Sequence, residues 1–282
     1  MTYLQPEKLE DALSWLASRQ PLVMAGCTDI YPLHSSPALT GPLLDITRIN
    51  ELRGIEKQSG WRRIGAATSW GDILTADLPA SYDALKQAAR EIGSVQIQTS
   101  ATIGGNLCTA SPAADSVPCL LALDAEVELA SANQRRRLPL AEFLTGPRQT
   151  ALAKDELLVA IWVAEAAEEG HSAFVKLGAR RYLVISIAMV AARLAVADGQ
   201  ITAAAISVGS CAPIAVRLAQ LEAALLRRKP LAAASIVAEH KASITASLAP
   251  IDDVRASVDY RLEAAAEMVA RAVEQACQEA VA

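Results

Sequence analysis

The strongest constraint in this sequence lies in its last third. Ser172–Leu177, Ile187–Val196 and Ile201–Val208 are apolar runs of strand length, and Asp198-Gly199 separates the last two. An Asp-Gly link tolerates positive φ at both positions, so it folds its flanking strands back antiparallel. Amphipathic, Ala-rich stretches follow at Ala215–Leu226, Leu231–Ala242 and Tyr260–Ala280. Strands and then helices, rather than alternation, predict an α+β unit. The acidic, Gly-terminated stretch Ala164–Gly170 precedes it and marks a domain boundary.

Upstream of that boundary the pattern is different. Pro6–Arg19, with Leu9, Leu13, Trp15 and Leu16 apolar, predicts an amphipathic helix. Pro21–Ala25 ends at Gly26 and reads as a buried strand and a tight turn; Leu43–Ile46, Trp61–Ala66 and Ala125–Ala130 read as further strands. Ser69–Leu74 and Tyr82–Ile92 read as helices. Ser100–Asp115 is almost uncharged, rich in Gly, Ser, Thr, Ala and Asn, and fits neither period; it is expected to be an ordered loop. Asp115-Ser116 supplies capping chemistry for a helix over Val117–Leu123, and the basic run Arg135–Arg137 reads as an exposed turn. A length of 282 residues favours two domains. With 52% hydrophobic but only 4% aromatic residues, the core must be built from Ala, Leu, Val and Ile.

Several function classes are excluded. A net charge of −5 does not suit a phosphate-dominated nucleic-acid binder. The longest strongly apolar stretch, Tyr182–Ala192, falls short of the ~20 residues a membrane-spanning helix needs. The N-terminus has no leading basic cluster and does not read as a signal peptide. Five cysteines without CxxC spacing favour a reducing cytoplasm over a disulfide framework. The isolated His34, His171 and His240 offer no zinc site, and no nucleophile–His arrangement can be assembled.

Four segments can carry chemistry. Val23-Met24-Ala25-Gly26-Cys27-Thr28-Asp29-Ile30 runs a strand into a Gly turn, where backbone N–H groups can form a nest for a pyrophosphate, or make an ordinary strand-to-loop turn. Thr102-Ile103-Gly104-Gly105-Asn106-Leu107-Cys108 pairs glycines that permit positive φ and close ligand approach; a Gly-Gly hairpin is the plain alternative. Neither matches a P-loop or a G-x-G-x-x-G fingerprint. Asp115 can accept from ribose or ribityl hydroxyls, cap the next helix, or both. Lys176, inside the apolar run Phe174-Val175-Lys176-Leu177 and close to Arg180-Arg181, either snorkels to solvent or faces a ligand.

Ala25-Gly26-Cys27-Thr28-Asp29, Ile64-Gly65-Ala66-Ala67-Thr68 and above all Thr102-Ile103-Gly104-Gly105-Asn106, with Ala110-Ser111-Pro112 and Asp115 behind it, resemble the FAD-binding subunit of the xanthine dehydrogenase/carbon monoxide dehydrogenase family of molybdenum hydroxylases. The resemblance extends over almost the whole chain, including Phe174–Leu177 and Arg180-Arg181. It implies an α+β fold. An FAD domain of the vanillyl-alcohol-oxidase (PCMH) type would span residues 1–168, in parts of about 1–57 and 58–168. A small antiparallel-sheet and helix domain would follow at 169–282. It further implies that Val23, Met24, Ala25, Gly26, Cys27, Thr28, Asp29 and Ile30 wrap the FAD pyrophosphate. Thr102, Ile103, Gly104, Gly105 and Asn106 would line the diphosphate and ribityl side. Cys108 would lie near the adenosine or flavin, Asp115 would bind FAD hydroxyls, Leu158 would pack on the cofactor and Lys176 would contact it. Cys27 departs from the family's Gly or Asn and fits only with negative or mildly strained φ.

The resemblance also explains what the chain lacks. Two [2Fe–2S] clusters need eight thiolates, and five scattered cysteines cannot provide them. The clusters and the molybdopterin-bound molybdenum are therefore expected on a small and a large partner subunit, with the assembly a dimer of heterotrimers. This chain would be the cytoplasmic flavin station, passing electrons to NAD, O2 or another acceptor. A stand-alone FAD-dependent oxidase or reductase of the same fold is the alternative.

Overall fold

The structure, a computed structural model, describes residues 2–33 and 39–281. His34, one of the histidines considered above, lies outside them. By its contacts the chain divides into two units. One comprises Met1–Ala76, Ser94–Ala110 and Ala125–Val163; the other comprises Asp77–Gly93, Ser111–Asp124 and Ala164–Ala282.

The first unit holds two sheets. Strands β1 (Thr2–Leu4), β2 (Leu22–Met24) and β3 (Pro42–Asp45) form a parallel sheet in the order β1-β3-β2. The helix α1 (Leu9–Arg19) links the first two strands. Its buried Leu9, Ala12, Leu13 and Leu16 follow the helical period and pack with Leu44, Ile46, Ile49 and Leu52. A short helix, α2 (Ile30–Leu33), follows the turn after β2. The second sheet has the order β4-β5-β10-β6-β7. Its strands are β4 (Ile55–Gln58), β5 (Trp61–Gly65), β6 (Glu126–Ala130), β7 (Arg135–Pro139) and β10 (Leu157–Ala164). The small ladder of β8 (Leu144–Gly146) and β9 (Gln149–Thr150) lies between β7 and β10 in the chain. The helices α3 (Trp70–Thr75), α5 (Val95–Ser100), α6 (Ile103–Thr109) and α8 (Leu140–Phe143) complete this unit.

The second unit is an antiparallel sheet covered by helices. Strands β11 (His171–Leu177), β12 (Ala188–Ala197), β13 (Gln200–Gly209) and β14 (Val216–Arg217) pair in sequence order. Asp198 and Gly199 both adopt positive φ, 51° and 71°, as the hairpin requires. One face of β12, with Ala188, Val190, Ala192 and Leu194, meets the small residues Ala265, Val269, Ala272 and Ala276 of the long helix α12 (Val258–Val281). These are the aliphatic side chains that a chain poor in aromatics must use. Two further helices, α4 (Asp83–Glu91) and α7 (Ser116–Ala122), also pack on this sheet. The buried Arg193 of β12 donates from Nε to the Ala122 carbonyl, satisfying a C-terminal group of α7. The helices α9 (Ala219–Leu225), α10 (Ala233–Glu239) and α11 (Lys241–Ala246) finish the unit.

Five expectations need correction. Ser100–Asp115 is not a loop throughout: Thr102 caps α6, its hydroxyl accepting the Gly105 N–H at 3.1 Å. The helix was hidden because Gly104 and Gly105 suppress its propensity. Accordingly, the paired glycines serve neither a hairpin nor positive φ. Arg135–Arg137 is not a turn but the start of edge strand β7, where charge protects an open edge. Ala215–Leu226 opens as strand β14 before α9 begins, and Leu231–Ala242 is a 3-10 turn (Pro230–Ala232) with α10 and the start of α11 rather than one helix.

Candidate functional site

The turn after β2 is the first element of the site. Cys27 has φ of 57°, so the strained alternative holds at this position. A left-handed residue in a turn can bring successive N–H groups toward one side. No described residue accepts the amide N–H of Gly26, Cys27, Thr28 or Asp29. The turn thus offers consecutive free donors and no basic side chain. Burial, and then the Asp45 carboxylate, push the Cys27 thiol upward. The raised thiol stays protonated near neutral pH.

Glycines bring three segments together. A Cβ on Gly26 would meet the Ser100 carbonyl oxygen at 2.1 Å and the Ala101 Cα at 2.8 Å. One on Gly104 would meet the Ala66 oxygen at 2.6 Å, and one on Gly65 the Leu52 oxygen at 2.4 Å. Backbone bonds fasten the same contacts: Ile103 N–H to Thr68 at 3.0 Å, Gly104 N–H to Ala66 at 2.8 Å and Trp70 N–H to Ala101 at 3.2 Å. Ser69 and Asp72 form a capping box that starts α3 next to the Ser69–Thr102 bridge. The Ala25–Asp29, Ile64–Thr68 and Thr102–Asn106 motifs are therefore one continuous structure. Gly105 is different: it is exposed, and an added Cβ would meet only the Thr102 hydroxyl, at 3.0 Å. Cys108 is exposed one turn further along α6. Leu158 is buried in β10; its neighbour Val159 accepts the Ala66 N–H at 3.0 Å.

In the second unit Asp115 and Lys176 meet directly. The Lys176 ammonium donates to Asp115 Oδ2 at 2.6 Å, and Ser186 Oγ donates to Oδ1 at 2.5 Å. All three side chains are buried. Asp115 stands at the N-cap of α7 without capping it, because its oxygens are engaged elsewhere. Burial raises its pKa, and Lys176 opposes that rise. Lys176 does not snorkel to solvent: its ammonium is buried against Asp115. Ser186 had no sequence signal, since its partner lies 71 residues away.

Residues 1–164 match the family described as "FAD binding domain in molybdopterin dehydrogenase", and residues 173–276 match the "CO dehydrogenase flavoprotein C-terminal domain". The putative xanthine dehydrogenase FAD-binding subunit XdhB of Escherichia coli is 31% identical over 280 residues, covering 98% of this chain and 95% of that protein. The carbon monoxide dehydrogenase medium chain of Hydrogenophaga pseudoflava is 31% identical over 278 residues, covering 97% and 96%. Among solved structures, reconstituted CO dehydrogenase from Oligotropha carboxidovorans superposes with a TM-score of 0.91 at 26% identity, covering 99% of this chain and 98% of that one. The chain belongs to the FAD-binding domain family of molybdopterin dehydrogenases. Within that class it is an FAD-binding subunit of the molybdenum hydroxylase type, an oxidoreductase subunit with the two-domain fold of the CO dehydrogenase medium chain.

Proposed function

We propose that FAD is held by its pyrophosphate in the turn Val23–Ile30, with Thr102–Asn106 alongside. The observation that carries this is the row of undonated N–H groups at Gly26–Asp29, fixed against the Ser100-Ala101 backbone by a glycine that no other residue could replace. Gly105, bare of a side chain and exposed, leaves room for close approach on the neighbouring segment. In the second unit Asp115 and Lys176 form one ionic pair, with the ammonium position set by the carboxylate. Cys108 and Leu158 would neighbour the cofactor.

Bound FAD supplies two-electron storage that can be filled one electron at a time. The protein orients the dinucleotide, keeps the Cys27 thiol uncharged next to it and buries a lysine whose charge is balanced. Among the described residues no group of three or more His, Cys, Asp or Glu side chains could hold a metal ion. We infer that [2Fe–2S] clusters and molybdopterin-bound molybdenum reside on a small and a large partner subunit, arranged as a dimer of heterotrimers, and that NAD, O2 or another carrier takes the electrons. Relatives named as medium chains and subunits support this reading. Five unpaired cysteines support a cytoplasmic setting; burial pushes the Cys211 and Cys277 thiols to about 11, so both are inert. No helix among the described residues is long and apolar enough to cross a membrane.

The test is flavin and metal analysis of the subunits separated from the native complex. FAD is expected with this chain, and iron, sulfide and molybdenum with the others. A lone flavoenzyme that turns over without partners would contradict the proposal.

A further inference from the structure

The basic run Arg135–Arg137 is not used by the flavin site. Along β7 its side chains alternate between faces. Arg136 turns one way and forms a bidentate pair with the buried Glu156, at 2.7 and 2.8 Å. Arg135 and Arg137 turn the other way, and Arg137 stands opposite Glu128 of β6. The Arg137 guanidinium carbon lies 3.6 Å from the Trp162 ring centroid and 5.4 Å from that of Trp61. Trp162 is itself held: its Nε1 donates to Glu128 at 2.7 Å, and both side chains are buried. Arg135 bridges Glu128 at 3.4 Å and Glu51 at 2.6 Å. Arg63 pairs with the exposed Glu56 at 3.6 Å, so the Glu51, Glu56 and Glu128 carboxylates of this face all have partners. Arg137 is exposed, and no described residue accepts a hydrogen bond from its guanidinium.

We propose that this sheet face docks a carboxylate-bearing segment of a partner subunit, with Arg137 gripping the carboxylate through its fork and Trp61 covering the segment's apolar part. The inference rests on the multi-subunit reading above. A guanidinium stacked on a fixed indole is already planar and aimed, so little freedom is lost when it binds a carboxylate in bidentate fashion. Trp and Arg are the residue types that dominate interface energetics. The concavity around them, about 760 Å3, is open and polar, whereas a small-molecule site would enclose most of its ligand. Its lining carries four arginines against three glutamates, an excess of one positive charge supplied by Arg137 on a chain of net charge −5, which favours a carboxylate as the incoming group.

The test uses the chain co-expressed with the small and large subunits of its complex. Arg137→Ala should weaken assembly at least tenfold while FAD content and melting temperature stay at wild-type values. Arg137→Lys should also fail to restore assembly, because an ammonium lacks the fork. Assembly of both variants within twofold of wild type would overturn the proposal while leaving the flavin reading intact. So would a change confined to self-association of the isolated chain, which would assign the face to a second copy. A wild-type chain that binds no partner subunit would overturn both readings.

Discussion

Cys27 shows how one residue links backbone geometry to a ligand. Its φ of 57° turns the amides of the loop outward at the expense of strain in a residue with a Cβ. Cys27→Gly should therefore fold at least as well and retain FAD. Cys27→Val, β-branched at positive φ, should lose about 1–2 kcal/mol. Urea denaturation of the three proteins, with flavin content measured in each, checks the ordering. The Asp115–Lys176–Ser186 cluster carries a second expectation. Removing one partner leaves a buried charge, so Asp115→Ala should cost about 3 kcal/mol, and pairing it with Lys176→Met should recover much of that loss. If the double variant is no more stable than Asp115→Ala, the ion pair is not what holds this cluster. Lys176 was visible in the sequence as a cation in an apolar run, and Asp115 as the carboxylate that ends a polar stretch before a helix. Their pairing was not, because it spans 61 residues.

At the level of elements, the sequence's period was a good guide wherever one face of an element is buried. Helix α1, strands β5, β6 and β11–β13 and the Asp198-Gly199 hairpin lie close to where apolar spacing puts them. Period failed where something other than burial sets the conformation. Helix α6 exists because of Thr102 and the backbone bonds to Ala66 and Thr68, despite two glycines that lower its propensity. Strand β7 looked like a turn because three consecutive arginines conceal an alternation that only Glu156 on one side and Trp162 on the other reveal. The glycine motifs were legible as candidate segments, yet their mutual contact was not. That contact makes Gly104→Ala a sharp test: its methyl group would press on Ala66, costing about 1–3 kcal/mol and loosening α6. Thermal melts that match wild type would contradict the close packing.

For the whole molecule, both units carry a carboxylate whose charged form is favoured by folding. In the first unit the Arg136 fork, together with the Ala153 amide, lowers the Glu156 pKa. In the second the Arg255 amide, then the Arg255 and Arg261 side chains, hold Asp253 well below the usual carboxylate range. A carboxylate with a depressed native pKa stabilises the fold above its unfolded value and loses that contribution as pH falls toward the native one. These groups should leave the melting temperature unaffected between pH 7 and 5 and lower it below pH ~4. Calorimetry across that range checks the sign, and Glu156→Gln should flatten part of the acid limb.

The central claim is that Gly26–Asp29 and Thr102–Asn106 form one cradle for the FAD pyrophosphate. Its most direct test is a fluorescence titration of flavin-free chain with FAD, comparing wild type with Gly105→Asp. The Gly105 site is exposed and an added Cβ would meet only the Thr102 hydroxyl, at 3.0 Å, which must give by a few tenths of an ångström; retention of the fold is checked by circular dichroism. A carboxylate placed against the phosphates should weaken FAD binding by at least a hundredfold. A folded Gly105→Asp protein that binds FAD as tightly as wild type would show that the cradle is elsewhere.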